Sequence, residues 1–593
     1  MIQVEQILQS KYPALAANHE FITRPTLALL RQLLREQELN AFLLQHHDLE
    51  GLEFLAKLLE YFNLGYSVVE REKDNIPAEG RVVIVANHPL GGLDGIALLS
   101  LVRGVRPDVR IVANDVLMQF GPLQHMLLPI DNLGKGCTKA NIAAINKALA
   151  RDEAVIVFPS GEVSRPGLSG IKDRPWRGGF LRFAERAEAP VLPIHIGGRN
   201  SALFYGLSML YKPLSTILMV REMFRRQPMT LHLRIGELIP WQEIAALDLS
   251  REEKIKRINR QVYSVSKKCV PLFRAEKPTA QAEARPGLRR ELQQADCLGQ
   301  TRDGKQIFLF DCGHDSSVMR EIGRLREITF RRVREGSGKR RDLDQFDAYY
   351  RHLVLWDDSD LQIVGAYRIG DAARILGTRG SEGLYTHGLF AYSDAMHRYF
   401  PRALELGRSF VQPRYWGMRS LDYLWYGIGA YLRRYPDIRY LFGPVSISDG
   451  YPRAARNLLV YFYRHYFGDE GRLALARDRY VIAEAERSLL RELFSGADYE
   501  QGFRVLKERL GQLGLAVPTL YKQYTEVCEP GGVRFLDFGV DAQFSNCVDG
   551  LVLVDLHLLK SAKRARYMAD HGATLLSPDA SNARLTDRSR YAA

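Results

Sequence analysis

Between residues 81 and 236 short apolar runs alternate with longer segments in which apolar residues recur every three or four positions. The runs predict strands at 81–86, 109–113, 154–158, 191–196 and 230–235, and the spaced segments predict helices packed on them. That alternation is the α/β pattern. Upstream, Thr26 to His47 carries Leu27, Leu30, Leu33, Leu34, Phe42 and Leu43 among Arg, Gln and Glu, which predicts amphipathic helices leading into the first strand. Residues 270–290 are rich in Pro, Ala, Glu and Arg with few apolar positions, the composition of a linker. Beyond them, 305–310, 352–356 and 363–368 predict strands around a helix from Val318 to Arg332. The expected organisation is an N-terminal helical segment (1–69), an α/β domain (70–269), a linker (270–290) and a second α/β domain (291–593).

The first strand, Arg81 to Val85, runs into Ala86-Asn87-His88-Pro89-Leu90-Gly91-Gly92-Leu93-Asp94. A His delivered by a buried strand into a small-residue turn, with an Asp close behind, has the makings of a general base and its orienting acid. On local grounds the same residues also read as a turn His followed by a helix cap. After the strand at 154–158 comes Phe158-Pro159-Ser160-Gly161-Glu162-Val163-Ser164-Arg165, where backbone N–H groups, hydroxyls and a guanidinium suit an anionic or polar acceptor. A third block, Ala189-Pro190-Val191-Leu192-Pro193-Ile194, ends another strand.

In this order the three blocks resemble the lysophospholipid acyltransferase family over roughly residues 70 to 240. Five residues separate His88 from Asp94 where the family usually has four, and Ser160 and Glu162 replace its usual Glu and Thr, a variant similar to ornithine-lipid acyltransferases and putative hemolysins. The resemblance implies a glycerolipid-acyltransferase-like fold, with His88 as base and Asp94 as orienter. Ser160, Gly161, Glu162, Ser164 and Arg165 are its expected acceptor-binding loop.

Charge narrows the partners. A formal net charge of +13 and a pI near 9.3 imply an anionic partner, and without a nucleic-acid-binding signature the expectation is lipid or an acidic carrier protein rather than nucleic acid. Six scattered cysteines without a CxxC pair fit a reducing compartment and no metal site. No signal peptide or membrane span is read, so the expected location is cytoplasmic, peripheral on the inner membrane. Ser201 to Arg226 is the best membrane-contact segment, with a buried helical hairpin as the alternative.

The second half holds a different constellation. Residues 320–341 contain Arg320, Arg324, Arg326, Arg331, Arg332, Arg334, Lys339, Arg340 and Arg341, followed by Asp342, Asp344 and Asp347, and then Arg368, Glu405 and Arg408 interrupt apolar strands. Buried charge without a partner is costly, so Arg368, Glu405 and Arg408 form either a functional set or an ion-pair network that positions strands. At Arg326, Phe330, Asp347, Arg368, Glu405 and Arg408 the chain resembles the acyl-carrier-protein-dependent N-acyltransferases of the GNAT superfamily, including ornithine N-acyltransferases, over about 300 to 567. That resemblance implies Glu405 as proton acceptor and Arg326, Asp347, Arg368 and Arg408 as substrate-binding residues. It also implies Arg320, Arg324, Arg331, Arg332 and Arg334 as contacts for an acidic acyl carrier protein. No bound cofactor is expected; the donor would be a 4'-phosphopantetheine thioester on that carrier.

Taken whole, the chain resembles the bifunctional ornithine lipid synthases. The resemblance implies N-acylation of ornithine by the second domain, followed by O-acylation of the lyso-ornithine lipid by the first. Glycine as acceptor, an N-acylated signal as product, and a non-enzymatic membrane-active protein are the alternatives.

Overall fold

The computed structural model describes residues 31–32, 35–113, 121–129, 139–167, 170–201, 204–206, 222–224, 228–267, 271–313, 315–496, 498–568 and 574–575. Most of the segment 201–226, the start of the 26–47 segment, Cys137 and Cys269 lie outside them. The chain forms two compact units, 1–280 and 281–593.

The first unit is built on β1 (Leu64–Val68), β2 (Val82–Ala86), β3 (Val109–Ala113), β4 (Leu127–Pro129), β5 (Ala154–Val157), β6 (Arg165–Gly167), β7 (Gly170–Lys172), β8 (Val191–Gly197) and β9 (Met229–Ile235). Seven of these make one sheet in the order β1-β9-β8-β2-β5-β3-β4, and β6 and β7 form a separate hairpin. Strands β8, β2, β5, β3 and β4 are parallel, and β9 runs antiparallel to β8. Residues of β2 alternate between two cores because successive side chains of a strand point to opposite faces. Val82, Ile84 and Ala86 pack with Leu98 and Val102 on one side, and Val83 and Val85 with Phe180, Leu181 and Ile258 on the other. A strand buried on both faces needs a continuous apolar sequence, which is what 82–86 supplies.

The expected separate segment 1–69 is corrected by this packing. Helix Gly51–Tyr61 buries Phe54, Leu55 and Leu58 in the core of the first unit, and Leu64–Val68 is a strand of its sheet. The linker is likewise shorter than its composition suggested. Pro286 stands in the first turn of a helix, Arg285–Leu292, whose Leu288 and Leu292 pack with Val318 and Ile322 of the second unit.

The second unit contains β10 (Asp296–Thr301), β11 (Gln306–Asp311), β12 (Arg351–Asp357), β13 (Gln362–Asp371), β14 (Phe390–Tyr392), β15 (Ala403–Val411), β16 (Tyr440–Ile447), β17 (Ala474–Ala476), β18 (Val533–Asp541), β19 (Cys547–Asp555) and β20 (Thr574–Leu575). Its main sheet runs β18-β19-β16-β15-β13-β12-β11-β10-β20, with β14 and β17 paired apart. Helix Ser317–Arg332 packs on one face with Phe308, Phe310 and Trp356, and helix Ser420–Arg434 on the other with Ile307, Leu353 and Leu355. Four further helices between 453 and 526, which the strand-and-motif reading passed over, bring in an aromatic cluster that includes Phe462, Tyr463, Phe494 and Tyr521. Both units are α/β, as expected.

Candidate active sites

The sheet order of the first unit places the three sequence blocks side by side. Strand β2 lies between β5 and β8, with Val85 opposite Val157 and Ala86 opposite Ile194, so the C-terminal ends of three parallel strands converge. Such convergent strand ends are where open α/β sheets take ligands. His88 leaves the end of β2 with its ring stacked on Phe158, centroids 4.1 Å apart. Its Nδ1 lies 3.1 Å from Oδ2 of Asp94, a side chain with no solvent exposure. Gly91 takes φ 83°, a left-handed value that suits a residue without Cβ. This lets the N–H groups of Leu90 and Gly91 donate to the same Asp94 oxygen at 2.8 and 3.0 Å.

Asp94 therefore contacts the His88 ring and caps helix Gly92–Arg103 at once. Burial pushes its carboxyl above the ordinary range, while His88 and the two peptide N–H groups pull it back. The strand end is tied further by Asn87, whose side chain donates to the Ile196 carbonyl at 2.9 Å and accepts from the Ile196 N–H at 2.7 Å. Asn200 donates to the Pro89 carbonyl at 2.8 Å.

The acceptor loop divides into parts. The Ser160 hydroxyl donates to the Glu162 carbonyl and the Ser164 hydroxyl to Asp173, so these two expected substrate contacts are corrected to loop-shaping residues whose hydroxyls are already engaged. Glu162 lies 3.5 Å from Arg174 on the half-exposed side. Gly161 supplies the left-handed turn, φ 64°. Arg165 is different. Its guanidinium stands over the Phe204 ring at 5.5 Å, and Nη1 is buried without a hydrogen-bond partner among the described residues. Burial lowers its pKa from the ordinary value. A cation half withdrawn from water with a nitrogen to spare is a receptor for an anionic group.

In the second unit the predicted residues gather as an alternating chain of Arg and Asp. Arg326, fully buried, donates to Asp347 at 2.8 Å, and Arg368 donates to Asp347 at 3.2 Å and to Asp344 at 2.6 Å. Arg408 Nε lies 3.1 Å from Asp342 and Nη1 donates to the Tyr385 hydroxyl at 2.9 Å. Burial alone would raise Asp347, but Arg326 and Arg368 outweigh it and hold the carboxyl well below its usual range. Burial, with Arg326 adding to it, pushes His352 down to about 3. Arg408 sits where the β13–β15 register shifts, and its φ of 49° marks a bulge. Bulges re-aim side chains, and this one directs a guanidinium between the rings of Tyr385 and Phe544, at 4.9 and 4.6 Å.

Glu405 requires correction. Its carboxylate accepts from the Tyr350 hydroxyl, the Tyr385 N–H at 3.2 Å, and the Thr386 N–H and hydroxyl at 2.8 and 2.5 Å. Four protein donors on a side chain in a residue only 1% exposed leave little room for an incoming ammonium, so Glu405 anchors the 385–386 segment rather than accepting a proton.

Other carboxyls, missed in the sequence, titrate near neutrality. Burial pushes Asp549 up to about 8, with Asp541 and Glu335 adding to the effect, and burial raises Glu335 to about 7. The Asp541 carboxylate accepts from the Tyr385 hydroxyl at 3.4 Å. Asp549 stands on β19 opposite Ser446 of β16, and the hint in the sequence was an acid inside the apolar run 547–554. Next to it, the parallel β15–β16 ladder spans only Ala403↔Tyr440 to Glu405↔Phe442, although β15 continues beside β13 to Val411 and β16 beside β19 to Ile447. The sheet opens there.

The expected carrier face is also corrected in part. Arg324 is buried and bonded to Glu321 at 2.6 and 2.8 Å, because it lies on the inward side of helix Ser317–Arg332. Arg320 pairs with Glu283 and Asp315, and Arg331 with Glu327, whereas Arg332 and Arg334 are exposed. Among the described residues no three His, Cys, Asp or Glu side chains form a metal-holding group, and no helix is long and apolar enough to cross a membrane.

A His paired with a buried Asp at converging strand ends in one unit, and a separate opened sheet in the other, fit a two-site acyl-transfer enzyme. The family described as "Acyltransferase" matches residues 6–270, and the "Acetyltransferase (GNAT) domain" family matches 325–426. The chain belongs to the acyltransferase family, with an acyltransferase domain in its first unit and a GNAT domain in its second. A lyso-glycine lipid O-acyltransferase of Bacteroides thetaiotaomicron is 32% identical over 249 residues, 41% of this chain and 89% of that protein. A glycine N(alpha)-acyltransferase of the same organism is 30% identical over 284 residues, 45% of this chain and 82% of its own. An L-ornithine N(alpha)-acyltransferase of Rhodobacter capsulatus is 28% identical over 272 residues, 43% of this chain and 92% of that protein.

Proposed function

We propose that this chain makes a diacylated amino-acid lipid in two steps. The GNAT unit transfers a 3-hydroxyacyl chain from acyl carrier protein to the α-amine of ornithine, and the first unit then esterifies the hydroxyl of that lyso-ornithine lipid. The observation that carries this is the union in one chain of two separately built sites, while relatives named for an N-acyl and an O-acyl step each cover less than half of it.

In the O-acyl step His88 Nε2 takes the hydroxyl proton, and Asp94 holds Nδ1 and stabilises the imidazolium. The alkoxide attacks the thioester, the C–O bond forms as the C–S bond breaks, and the proton leaves with the thiol. Arg165 faces the free carboxylate that an N-acyl amino acid retains. In the N-acyl step the opening between β15 and β16 offers unpaired backbone groups to the two amides of a phosphopantetheine arm. Asp549, with a value near the operating pH, is the proton acceptor in place of Glu405. The proposed location is the cytoplasmic face of the membrane, where the amphiphilic intermediate stays concentrated.

For the acceptor, the 28% identity to an L-ornithine N(alpha)-acyltransferase of which 92% is covered supports ornithine. Glycine is the second reading, supported by the 30% identity to a glycine-acylating enzyme. The membrane-disrupting alternative gives way to the enzyme family. The deciding experiment supplies the purified chain with 3-hydroxyacyl carrier protein and either ornithine or glycine, with products read by mass spectrometry. N-acyl-ornithine followed by its O-acylated form is the expected result. Product from glycine alone would overturn the acceptor assignment, and product from neither would overturn the reading.

A further inference from the structure

Asp173, just past the hairpin of β6 and β7, belongs to none of the three sequence blocks, yet three donors from three places meet on its carboxylate. Oδ1 accepts from the His88 backbone N–H at 3.1 Å and from the Ser164 hydroxyl at 2.5 Å, and Oδ2 accepts from the Trp176 indole N–H at 2.9 Å. Its own N–H donates to the Tyr263 hydroxyl at 2.9 Å. The circle closes through Ser164, whose N–H donates to the His88 carbonyl at 2.8 Å. The His88 residue is thus held at both its N–H and its C=O by one hairpin. Arg165 follows Ser164 and pairs across that hairpin with Lys172, the neighbour of Asp173.

We propose that Asp173 is a positioning residue for O-acyl transfer, locking the His88 backbone to the Ser164–Arg165 strand so that base and acceptor guanidinium keep one geometry. Asp94 and Phe158 set the plane of the imidazole. Neither reaches the His88 peptide, and a ring of correct orientation on a shifted backbone misses the hydroxyl proton. The residue type follows from the donor count. A carboxylate accepts on both oxygens, whereas an amide has one accepting oxygen and would meet one of the three donors with a donor of its own.

The inference rests on the O-acyltransferase reading above. Asp173→Ala and Asp173→Asn in the full chain are compared with wild type for O-acylation of lyso-ornithine and lyso-glycine lipids, with thermal unfolding measured alongside. N-acylation by the second unit serves as the internal reference. Asp173→Ala should lower kcat about 100-fold with KM within about threefold, and Asp173→Asn should recover to within about tenfold of wild type. N-acylation should be unchanged. A folded Asp173→Ala with kcat within about twofold of wild type overturns the proposal, as does a loss shared equally by kcat and KM that Asn fails to recover. The rate of His88 modification by diethyl pyrocarbonate, read by peptide mass spectrometry, needs no substrate. It should change several-fold in Asp173→Ala, and an equal rate overturns the proposal even if wild type acylates neither lyso-lipid, an outcome that would instead sink the functional reading.

Discussion

The two units solve the placing of charge in opposite ways. In the first, one His and one Asp six positions apart are joined by a single turn, and the ring keeps some exposure for a substrate. In the second, Arg326, Asp342, Asp344, Asp347, Arg368 and Arg408 come from a helix, a loop and two strands to form a network buried almost throughout. A compact pair set at a strand end keeps its imidazole partly exposed. A buried network spends its hydrogen bonds on itself, so most of its members hold the sheet around the opening and few meet a substrate.

The largest test of that contrast is His88→Ala. O-acylation should fall about 1,000-fold, with N-acylation intact and the monoacyl lipid accumulating, read by mass spectrometry of both products. Comparable losses of both activities would show that the two sites are not independent. Next, Arg368→Ala should destabilise the second unit by about 3–5 kcal/mol, because Asp344 and Asp347 lose a buried partner. Denaturant unfolding with a probe in each unit would show the loss confined to one transition.

Asp549 gives the third test. Its folded value of about 8 lies above the unfolded value near 4, so between about pH 4 and 8 the folded chain keeps a proton that the unfolded chain has released. Stability therefore falls as pH rises through that window and is lowest above it. Asp549→Asn should raise the Tm of the second unit by several degrees at pH 9 and leave it nearly unchanged at pH 4, while slowing N-acylation. Glu405→Gln should act mainly on stability, costing about 1–3 kcal/mol with the pH profile of N-acylation unmoved. A shifted profile would restore Glu405 as the base. The smallest effect is expected from Arg332→Glu with Arg334→Glu, a roughly three- to tenfold loss in kcat/KM for the acylated carrier protein that shrinks as salt rises.

The strands around the first site were legible because a strand buried on both faces has to be apolar throughout, as 82–86 and 154–157 are, with His195 the one polar residue of 191–196. His88 and Asp94 were legible for a related reason. Their partnership is made by one turn, and its small residues stand in sequence between them. The division into two units and their α/β class followed from the same alternation of apolar runs, with the helix Arg285–Leu292 hidden by a composition that reads as linker.

What the linear order left open was every contact made across elements. That three loops share one site depends on β2 lying between β5 and β8, an outcome of sheet order rather than of any local spacing. Arg324 and Arg332 look alike in the basic run, and only the packing of the helix turns one inward to Glu321 and leaves the other exposed. Glu405 looked free to take a proton until Tyr350, Tyr385 and Thr386 were brought around it. Residue type and short-range pattern, which act through local sterics and burial, were determined by the sequence itself. Partnership among distant charged groups depends on which surfaces exclude water together, and the tertiary structure alone decided it.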